Sequence, residues 1–125
     1  MREESLQWLN RATRNVRAAK VLIEADASAE ALFHCQQAVE KALKGFLVYN
    51  DKPFRKTHDI GDLRAMCLVI DDSLDSALAG TQELTQYAWR FRYPGAPQDP
   101  DPADATDGLA KAELVLGEIR LRIGA

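Results

Sequence analysis

Residues 31–48 read Ala-Leu-Phe-His-Cys-Gln-Gln-Ala-Val-Glu-Lys-Ala-Leu-Lys-Gly-Phe-Leu-Val and contain the clearest structural pattern in the chain. Its apolar residues recur at intervals of three and four, which predicts an amphipathic α-helix. We expect the helix to open at Ser28 or Ala29 and to end near Asn50, because Pro53 cannot continue it. Apolar residues also lie on a second face, which indicates packing on more than one side. The pattern predicts a central helix, or one shared between a helical bundle and a dimer interface.

Four more amphipathic segments flank this helix, and no part of the chain alternates with the period of two that a strand requires. Ser5 and Thr57 are the expected N-caps of the first and third helices. Gly80 is a candidate break in the fourth. The four segments span 5–25, 59–70, 74–92 and 103–123. Short connections between long amphipathic helices favour antiparallel neighbours. We therefore predict one all-α domain over 1–125, an up-and-down four-helix bundle with a short additional helix.

The composition is that of a globular domain. The chain has 125 residues, of which 46% are hydrophobic and 28% charged, a balance that supports one packed core. No segment reaches the roughly 20 apolar residues that a membrane-spanning helix needs, and the residues after Met1 do not read as a signal peptide. Cys35 and Cys67 fall in no metal-ligand spacing. We therefore expect a cytoplasmic protein with reduced, buried thiols, no membrane partner and no metal.

Charge is unevenly distributed along the chain. The net charge of −3 argues against a generally basic nucleic-acid binder. Residues 1–56 nevertheless carry ten Lys or Arg against seven Asp or Glu, whereas residues 57–125 carry six against twelve. Any contact with a polyanion should therefore involve the N-terminal half. Arg11, Arg14 and Arg17 belong to that half, as a solvated helix face or as a surface for phosphate or an acidic partner.

The central helix carries polar residues whose roles the spacing leaves open. Gln36 falls inside the apolar arc and must find partners, structural or ligand, because an unpaired buried amide costs about 1–3 kcal/mol. Glu40 and Lys44 form an i,i+4 pair that stabilises by about a few tenths of a kcal/mol on the exposed surface where we expect it. His34 and Lys41 share one side of the helix, as a solvated edge or as part of a site.

Two segments elsewhere combine cations with other functional groups. Residues 55–59 (Arg-Lys-Thr-His-Asp) place two cations and an imidazole beside a predicted helix N-terminus, whose free amides favour anions. Residues 89–94 (Trp-Arg-Phe-Arg-Tyr-Pro) alternate aromatic residues with arginines, a strip that can stack bases and bind phosphate or else anchor the following loop. The chain has no glycine-rich phosphate loop, no histidine pair at metal spacing and no nucleophile elbow, so no cofactor is predicted.

Taken together, these residues resemble the HEPN domain family. The resemblance rests on residues 31–47, on Lys-Thr-His-Asp-Ile at 56–60 and on Arg-Tyr-Pro at 92–94, with first and last helices that match in kind. It implies an up-and-down four-helix bundle with a shorter accessory helix, usually as a homodimer. Many members of the family are metal-independent endoribonucleases. Others are toxins restrained by a nucleotidyltransferase antitoxin, or non-catalytic modules that bind RNA or nucleotides.

The ribonuclease members carry an Arg followed four to six residues later by a His. Arg90 and Arg92 occupy the matching stretch here, but no His follows either of them at that distance. The resemblance therefore favours a non-catalytic nucleotide- or RNA-binding module that acts with a separately encoded minimal nucleotidyltransferase, in a toxin–antitoxin-like pair. The alternatives are a metal-independent endoribonuclease that uses Arg90 or Arg92 with His58, and an assembly subunit without a ligand.

The resemblance and the residue chemistry together define the candidate site. We expect a homodimer whose ligand, if it has one, lies where residues 56–58 and residues 92–93 could meet. The candidate structural polar residues are Gln36 and Glu40. The candidate ligand-binding residues are Lys44, Lys56, His58, Arg90, Arg92 and Tyr93.

Overall fold

The computed structural model describes residues 2–88, 94 and 99–124. Within that part of the chain every regular element is helical and there is no strand, which confirms the predicted all-α class. No helix in these ranges is long and apolar enough to cross a membrane. The elements are α1 (Arg2–Glu24), α2 (Ser28–Tyr49), α3 (Ile60–Ile70), a 3-10 turn (Asp72–Leu74), α4 (Asp75–Leu78), a 3-10 segment (Thr81–Ala88) and α5 (Pro102–Ile123).

α2 is the central helix of the bundle. It packs against α1, α3, α5 and the Thr81–Ala88 segment. Because helices of the same chain cover most of its apolar residues, the two-faced pattern of α2 by itself gives no support for a dimer. The apolar residues of α2 with at most 1% exposure are Ala31, Leu32, Cys35, Ala38, Val39, Ala42, Leu43 and Leu47.

α1 and α2 approach closely at Gly45. The hydroxyl of Ser5 donates a hydrogen bond to the Gly45 carbonyl oxygen over 2.7 Å, and a Cβ at position 45 would lie 3.1 Å from Cβ of Trp8. Ser5 is thus an interhelical contact within α1. Its prediction as the N-cap was wrong, because α1 already begins at Arg2.

α5 packs against α2 with a similarly close contact. A Cβ on Gly108 would lie 2.5 Å from Cδ2 of Leu32, so the glycine is what allows the two helices to meet. The helix starts with a capping box, in which the side chains of Asp101 and Asp104 each accept from the other's backbone N–H. Pro102 occupies a position where no N–H is needed.

The fourth helix, predicted over 74–92, is not one continuous α-helix. The chain forms a 3-10 turn, then the single turn of α4, and then the 3-10 segment Thr81–Ala88. Gly80, the predicted break, has a φ of 78°, a left-handed conformation that interrupts a right-handed helix. The hydroxyl of Thr81 then donates to the Leu78 carbonyl oxygen over 2.7 Å. The predicted end of this helix lies in residues 89–93, outside the described part of the chain.

Candidate functional site

Glu40 and Lys44 lie one turn apart on α2 and are both buried, with 2% and 8% exposure. Oε1 of Glu40 lies 3.4 Å from Nζ of Lys44. The expectation that this pair lies on an exposed surface was wrong, since neighbouring segments of the fold cover it. A charge removed from water is costly unless it is paired and hydrogen-bonded. The two residues therefore constrain each other much more strongly than a surface pair would.

Two aromatic rings enclose the Lys44 ammonium. Nζ lies 5.8 Å from the ring centroid of Trp8 on α1 and 5.6 Å from that of Phe54, in the segment after α2. The rings themselves meet edge to face, with centroids 6.1 Å apart. Such cation–π contacts compensate part of the lost hydration of the ammonium. Lys44, a candidate ligand contact, is thus placed where it holds Glu40 and offers little surface to a ligand.

His58 forms a hydrogen bond with the same carboxylate oxygen of Glu40. Its Nδ1 lies 2.6 Å from Oε1 of Glu40, yet 73% of the His58 side chain is exposed. An ionised carboxylate can only accept, so Nδ1 carries a proton and donates it. The remaining ring nitrogen, Nε2, makes no hydrogen bond to any described residue. Glu40 therefore fixes one edge of an otherwise exposed imidazole.

Gln36 holds the backbone of the same residue. It is fully buried, and its Nε2 donates to the carbonyl oxygen of His58 over 3.1 Å. Its own oxygen accepts from Nε2 of Gln37 over 2.7 Å. The apolar arc of α2 thus carries two polar residues, Gln36 and Glu40, that both bind the segment before α3. His58 is held by main chain and side chain together.

The N-terminus of α3 follows directly. Asp59 is its N-cap and accepts from the Gly61 N–H over 2.8 Å, so the prediction of Thr57 as the cap was wrong. Thr57 accepts one step earlier, from the Asp59 N–H over 3.0 Å. The N–H of Ile60 donates to the hydroxyl of Thr85 over 3.0 Å. The amides of Ile60 and Gly61 are therefore already used and are not available to an anion.

The cations beside His58 are on the surface. Arg55 and Lys56 are both exposed. Arg55 forms an ion pair with Asp62 at 3.3 Å, with side chains that are 79% and 40% exposed, and such pairs contribute little. Among the described residues Lys56 has no ion-pair partner. Lys56 is therefore an exposed cation two residues before His58 in the chain.

A second polar cluster, which we call the Asn15 cluster, joins α1 to α2. It consists of Asn15, which is 9% exposed, together with His34 and Lys41. Oδ1 of Asn15 accepts from Nζ of Lys41 over 2.8 Å, and its Nδ2 lies 2.9 Å from Nδ1 of His34. Sequence spacing placed His34 and Lys41 on one side of α2. Asn15 was missed because nothing in its own segment marks it as their partner.

The remaining candidates lie outside the described residues. Arg90, Arg92 and Tyr93 fall in the range 89–93, so their approach to Lys56 and His58 stays a prediction.

The two cysteines, Cys35 and Cys67, take no part in these clusters. Both are buried and free, and burial raises the pKa of each thiol to about 12, so neither is a reactive thiolate. In the described ranges no three His, Cys, Asp or Glu residues are grouped to hold a metal.

Comparison with known proteins assigns the chain to a family. The HEPN domain family matches residues 5–122, nearly the whole chain, and the protein therefore belongs to the HEPN family. The fold is similar to that of TT1696 from Thermus thermophilus, with a TM-score of 0.77 and 28% identity over 94% of this chain and 96% of that one. ST0689, an archaeal HEPN homologue, shares the fold with a TM-score of 0.77 and 22% identity over 95% and 97%. No curated protein matches.

Proposed function

We propose that this chain is a nucleotide- or RNA-binding module that acts as a homodimer with a separately encoded minimal nucleotidyltransferase. The observation that carries the proposal is the geometry of His58. Its imidazole is exposed, yet Glu40 and Gln36 fix it, and Lys56, two residues earlier in the chain, is an exposed cation with no ion-pair partner among the described residues. A side chain that is already ordered loses less entropy when it contacts a phosphate. Arg90, Arg92 and Tyr93 are the further contacts that the family resemblance adds.

RNA binding is tested best through its salt dependence. We expect a short fluorescein-labelled single-stranded RNA to bind saturably at low salt, as measured by fluorescence anisotropy. Each lysine–phosphate contact contributes about 0.7 to the slope of log affinity against log salt for single strands. Lys56→Gln should reduce that slope by about this amount. Lys52→Gln is the matched control, because Lys52 is also exposed but is not adjacent to His58.

The possible results of the anisotropy experiment distinguish specific binding at the His58 surface from diffuse binding and from no binding. If the wild-type protein shows no saturable anisotropy change with RNA, or with a labelled nucleotide, the ligand part of the proposal fails. If both lysine variants lower the slope equally, the binding is diffuse and does not involve the His58 surface.

The nucleotidyltransferase partner is tested by co-expression with the adjacent gene product followed by size-exclusion chromatography. Separate elution of the two proteins would remove that partner from the proposal.

The proposed homodimer is supported by apolar side chains left open on α5. Leu114 is 52% and Leu121 76% exposed. Gly117 stands between them with no atom near its Cβ position. At this spacing the three residues share one helix face, which a second copy of the chain could cover. Isolated exposed apolar residues are common, but Leu114 and Leu121 are aligned along one face of α5.

The dimer is tested by mass in solution. We expect multi-angle light scattering to give the mass of two chains for the wild-type protein and of one chain for Leu114→Glu/Leu121→Glu. Val69→Glu is the control, since Val69 on α3 is 88% exposed but lies on another helix. A monomeric wild-type protein across a dilution series, or dissociation by Val69→Glu alone, would contradict the arrangement.

A metal-independent endoribonuclease is the second candidate function, and the Glu40–His58 contact is what favours it. With Nδ1 donating to Glu40, Nε2 can take the proton of a ribose 2′-hydroxyl. The 2′-oxygen then attacks the adjacent phosphorus as the bond from phosphorus to the 5′-oxygen breaks. The departing 5′-oxygen takes a proton from water, and a 2′,3′-cyclic phosphate remains. The resemblance assigns phosphate stabilisation to Arg90 or Arg92.

This candidate predicts cleavage of RNA in EDTA with a cyclic-phosphate product. His58→Ala should abolish that cleavage, because no other histidine lies beside Glu40. The products are identified by mass spectrometry after incubation with purified protein. Cleavage that persists at the wild-type rate in His58→Ala would exclude His58 as the base, and absence of any cleavage leaves the binding module as the function.

A further inference from the structure

The Asn15 cluster, which the proposed function does not use, has a determined proton arrangement. An ammonium group only donates, so the amide oxygen of Asn15 must face Lys41. The amide NH2 group therefore faces His34, and Nδ1 of that ring must accept. The imidazole is consequently neutral, with its proton on Nε2. Burial, together with the charge of Lys41, lowers the pKa of His34, which agrees with this arrangement.

Nearby carboxylates balance the positive charge of the Asn15 cluster only in part. Burial lowers the pKa of the Lys41 ammonium, and while Glu40 opposes this shift, Arg11 and Lys44 add to it. Glu40 is the carboxylate in reach, and its Oε1 is already shared by Lys44 and His58. Among the described residues neither Arg11 nor Lys41 has a carboxylate within ion-pair distance.

Three kinds of donor remain available around the Asn15 cluster. The Lys41 ammonium has further N–H groups after its hydrogen bond to Asn15. Nε2–H of His34 meets no acceptor among the described residues, and its ring is only partly buried. Arg11 is exposed on α1 one turn before Asn15, on the same face of that helix, and its charge acts on Lys41. Cations and N–H donors grouped at a partly buried position are what a phosphoryl group requires.

We propose that Lys41, His34 and Arg11 form a phosphoryl-binding site, with Asn15 as the residue that positions the first two. The dianionic phosphate of a monoester or of inorganic phosphate fits best, because its two negative charges match the two cations Arg11 and Lys41. His34 adds an uncharged hydrogen-bond donor. A phosphodiester in RNA brings the same oxygens with one charge. The site is distinct from the His58 surface and does not depend on ligand binding there.

Because each of the two sites contains one histidine, the NMR signals of His34 and His58 report on ligand binding at the two sites separately. In a protein labelled with ¹⁵N-histidine, His34 should show the neutral Nε2–H tautomer and His58 a protonated Nδ1, and His34→Asn assigns the signals. Inorganic phosphate is titrated at constant ionic strength, with chloride as the replaced anion. We expect a saturable shift of the His34 signals and at most a small change at His58.

Variants then test which residues hold the phosphate. Lys41→Gln can still donate to Asn15 but lacks the charge, and should weaken phosphate binding about tenfold or more, since hydrogen bonds to charged groups are the strong ones. Lys41→Arg should retain most of the binding. Arg11→Gln, an exposed change that leaves the Asn15 amide contacts intact, should also weaken it. Lys20→Gln is the control, because Lys20 on the same helix as Arg11 is already paired with Glu113 at 3.2 Å.

Three ligands distinguish the source of the phosphoryl group. A His34 shift with phosphate and adenosine monophosphate but not with short RNA identifies a monoester site, and a shift with RNA as well identifies a contact for the backbone of the proposed ligand. Absence of any saturable His34 shift with all three, or an unchanged shift in Lys41→Gln, overturns the inference. A His58 response to RNA with no His34 response overturns this inference while leaving the proposed function standing.

Discussion

Around Glu40 a lysine and a histidine share one carboxylate, whereas around Asn15 a lysine and a histidine share one amide. Glu40 and Asn15, which we call the hub residues, are both nearly buried, and both clusters include residues of α2. The carboxylate only accepts, so its two neighbours must donate and their charge is largely balanced inside the cluster. The amide accepts at one end and donates at the other, so it holds its histidine neutral and leaves its lysine without an ion-pair partner among the described residues.

The difference shows that the hub residue, and not the histidine or lysine, decides what each cluster can do. The Glu40 cluster is internally satisfied, and it therefore serves to fix the exposed ring of His58. The Asn15 cluster is satisfied in hydrogen bonds but not in charge. It is therefore the one that should gain most from binding an anion. Changing each hub is the direct way to test this distinction.

The largest expected effect is on stability, from Glu40→Leu. This change leaves the Lys44 ammonium buried between Trp8 and Phe54 without its carboxylate, and should lower the free energy of unfolding by about 3 kcal/mol. Urea denaturation measures it. The double variant Glu40→Leu/Lys44→Met removes both charges and should unfold within about 1 kcal/mol of the wild-type protein.

The control for this prediction has the same spacing on another helix. Asp107 and Lys111 on α5 form an i,i+4 pair at 2.9 Å, with side chains that are 65% and 30% exposed. Asp107→Asn should cost less than about 0.5 kcal/mol, because such exposed pairs contribute little. Equal losses from the two single variants would mean that burial does not set the strength of the Glu40 pair.

The second effect converts the amide hub into a carboxylate hub. Asn15→Asp places an anion beside His34 and Lys41, and should raise the pKa of His34 by about one unit or more. An NMR titration of the histidine ring measures this, with Asn10→Asp, an exposed change on the same helix, as the control. The same variant should abolish phosphate binding at the Asn15 cluster, because the new carboxylate occupies the donors. A His34 pKa that stays low would show that burial alone determines it.

The smallest effect is on the pH dependence of stability. The pKa of His34 is lowered from its ordinary value of 6.5 by burial and by Lys41. The unfolded chain therefore binds more protons just below pH 6.5, and the contribution of His34 to stability is complete above 6.5 and lost as pH falls toward its lowered folded pKa. His34→Asn, which keeps an acceptor for Asn15 at similar helix propensity, should remove this loss.

The measurement compares urea midpoints of the two proteins across this pH range, so that all other titrating groups cancel. Because the ring is only partly buried, solvent screening limits the difference to a fraction of a kcal/mol. A wild-type protein whose stability falls no more steeply than that of His34→Asn would contradict the neutral assignment of His34.

The sequence predicted the long helices well because their evidence is local. The spacing of apolar residues placed α2 to within a residue of each end, and the segment predicted over 103–123 matches α5 to within a residue. It failed at Ser5, Thr57 and the fourth helix. Ser5 bonds to a carbonyl 40 residues away. The break at Gly80 was predicted, but the 3-10 geometry on either side of it depends on how the segment packs against its neighbours.

The sequence by itself therefore determined the fold class, the family and the presence of polar residues within the apolar arc of α2. Periodicity and motif spacing are properties of neighbouring residues, and they can be read along the chain. Three facts follow from the folded structure alone: Glu40 and Lys44 are buried, His58 binds Glu40, and Asn15 joins His34 to Lys41. These contacts connect residues 18 to 26 positions apart. The charges in the two clusters interact strongly only after folding has brought separate helices and loops together and excluded water from between them.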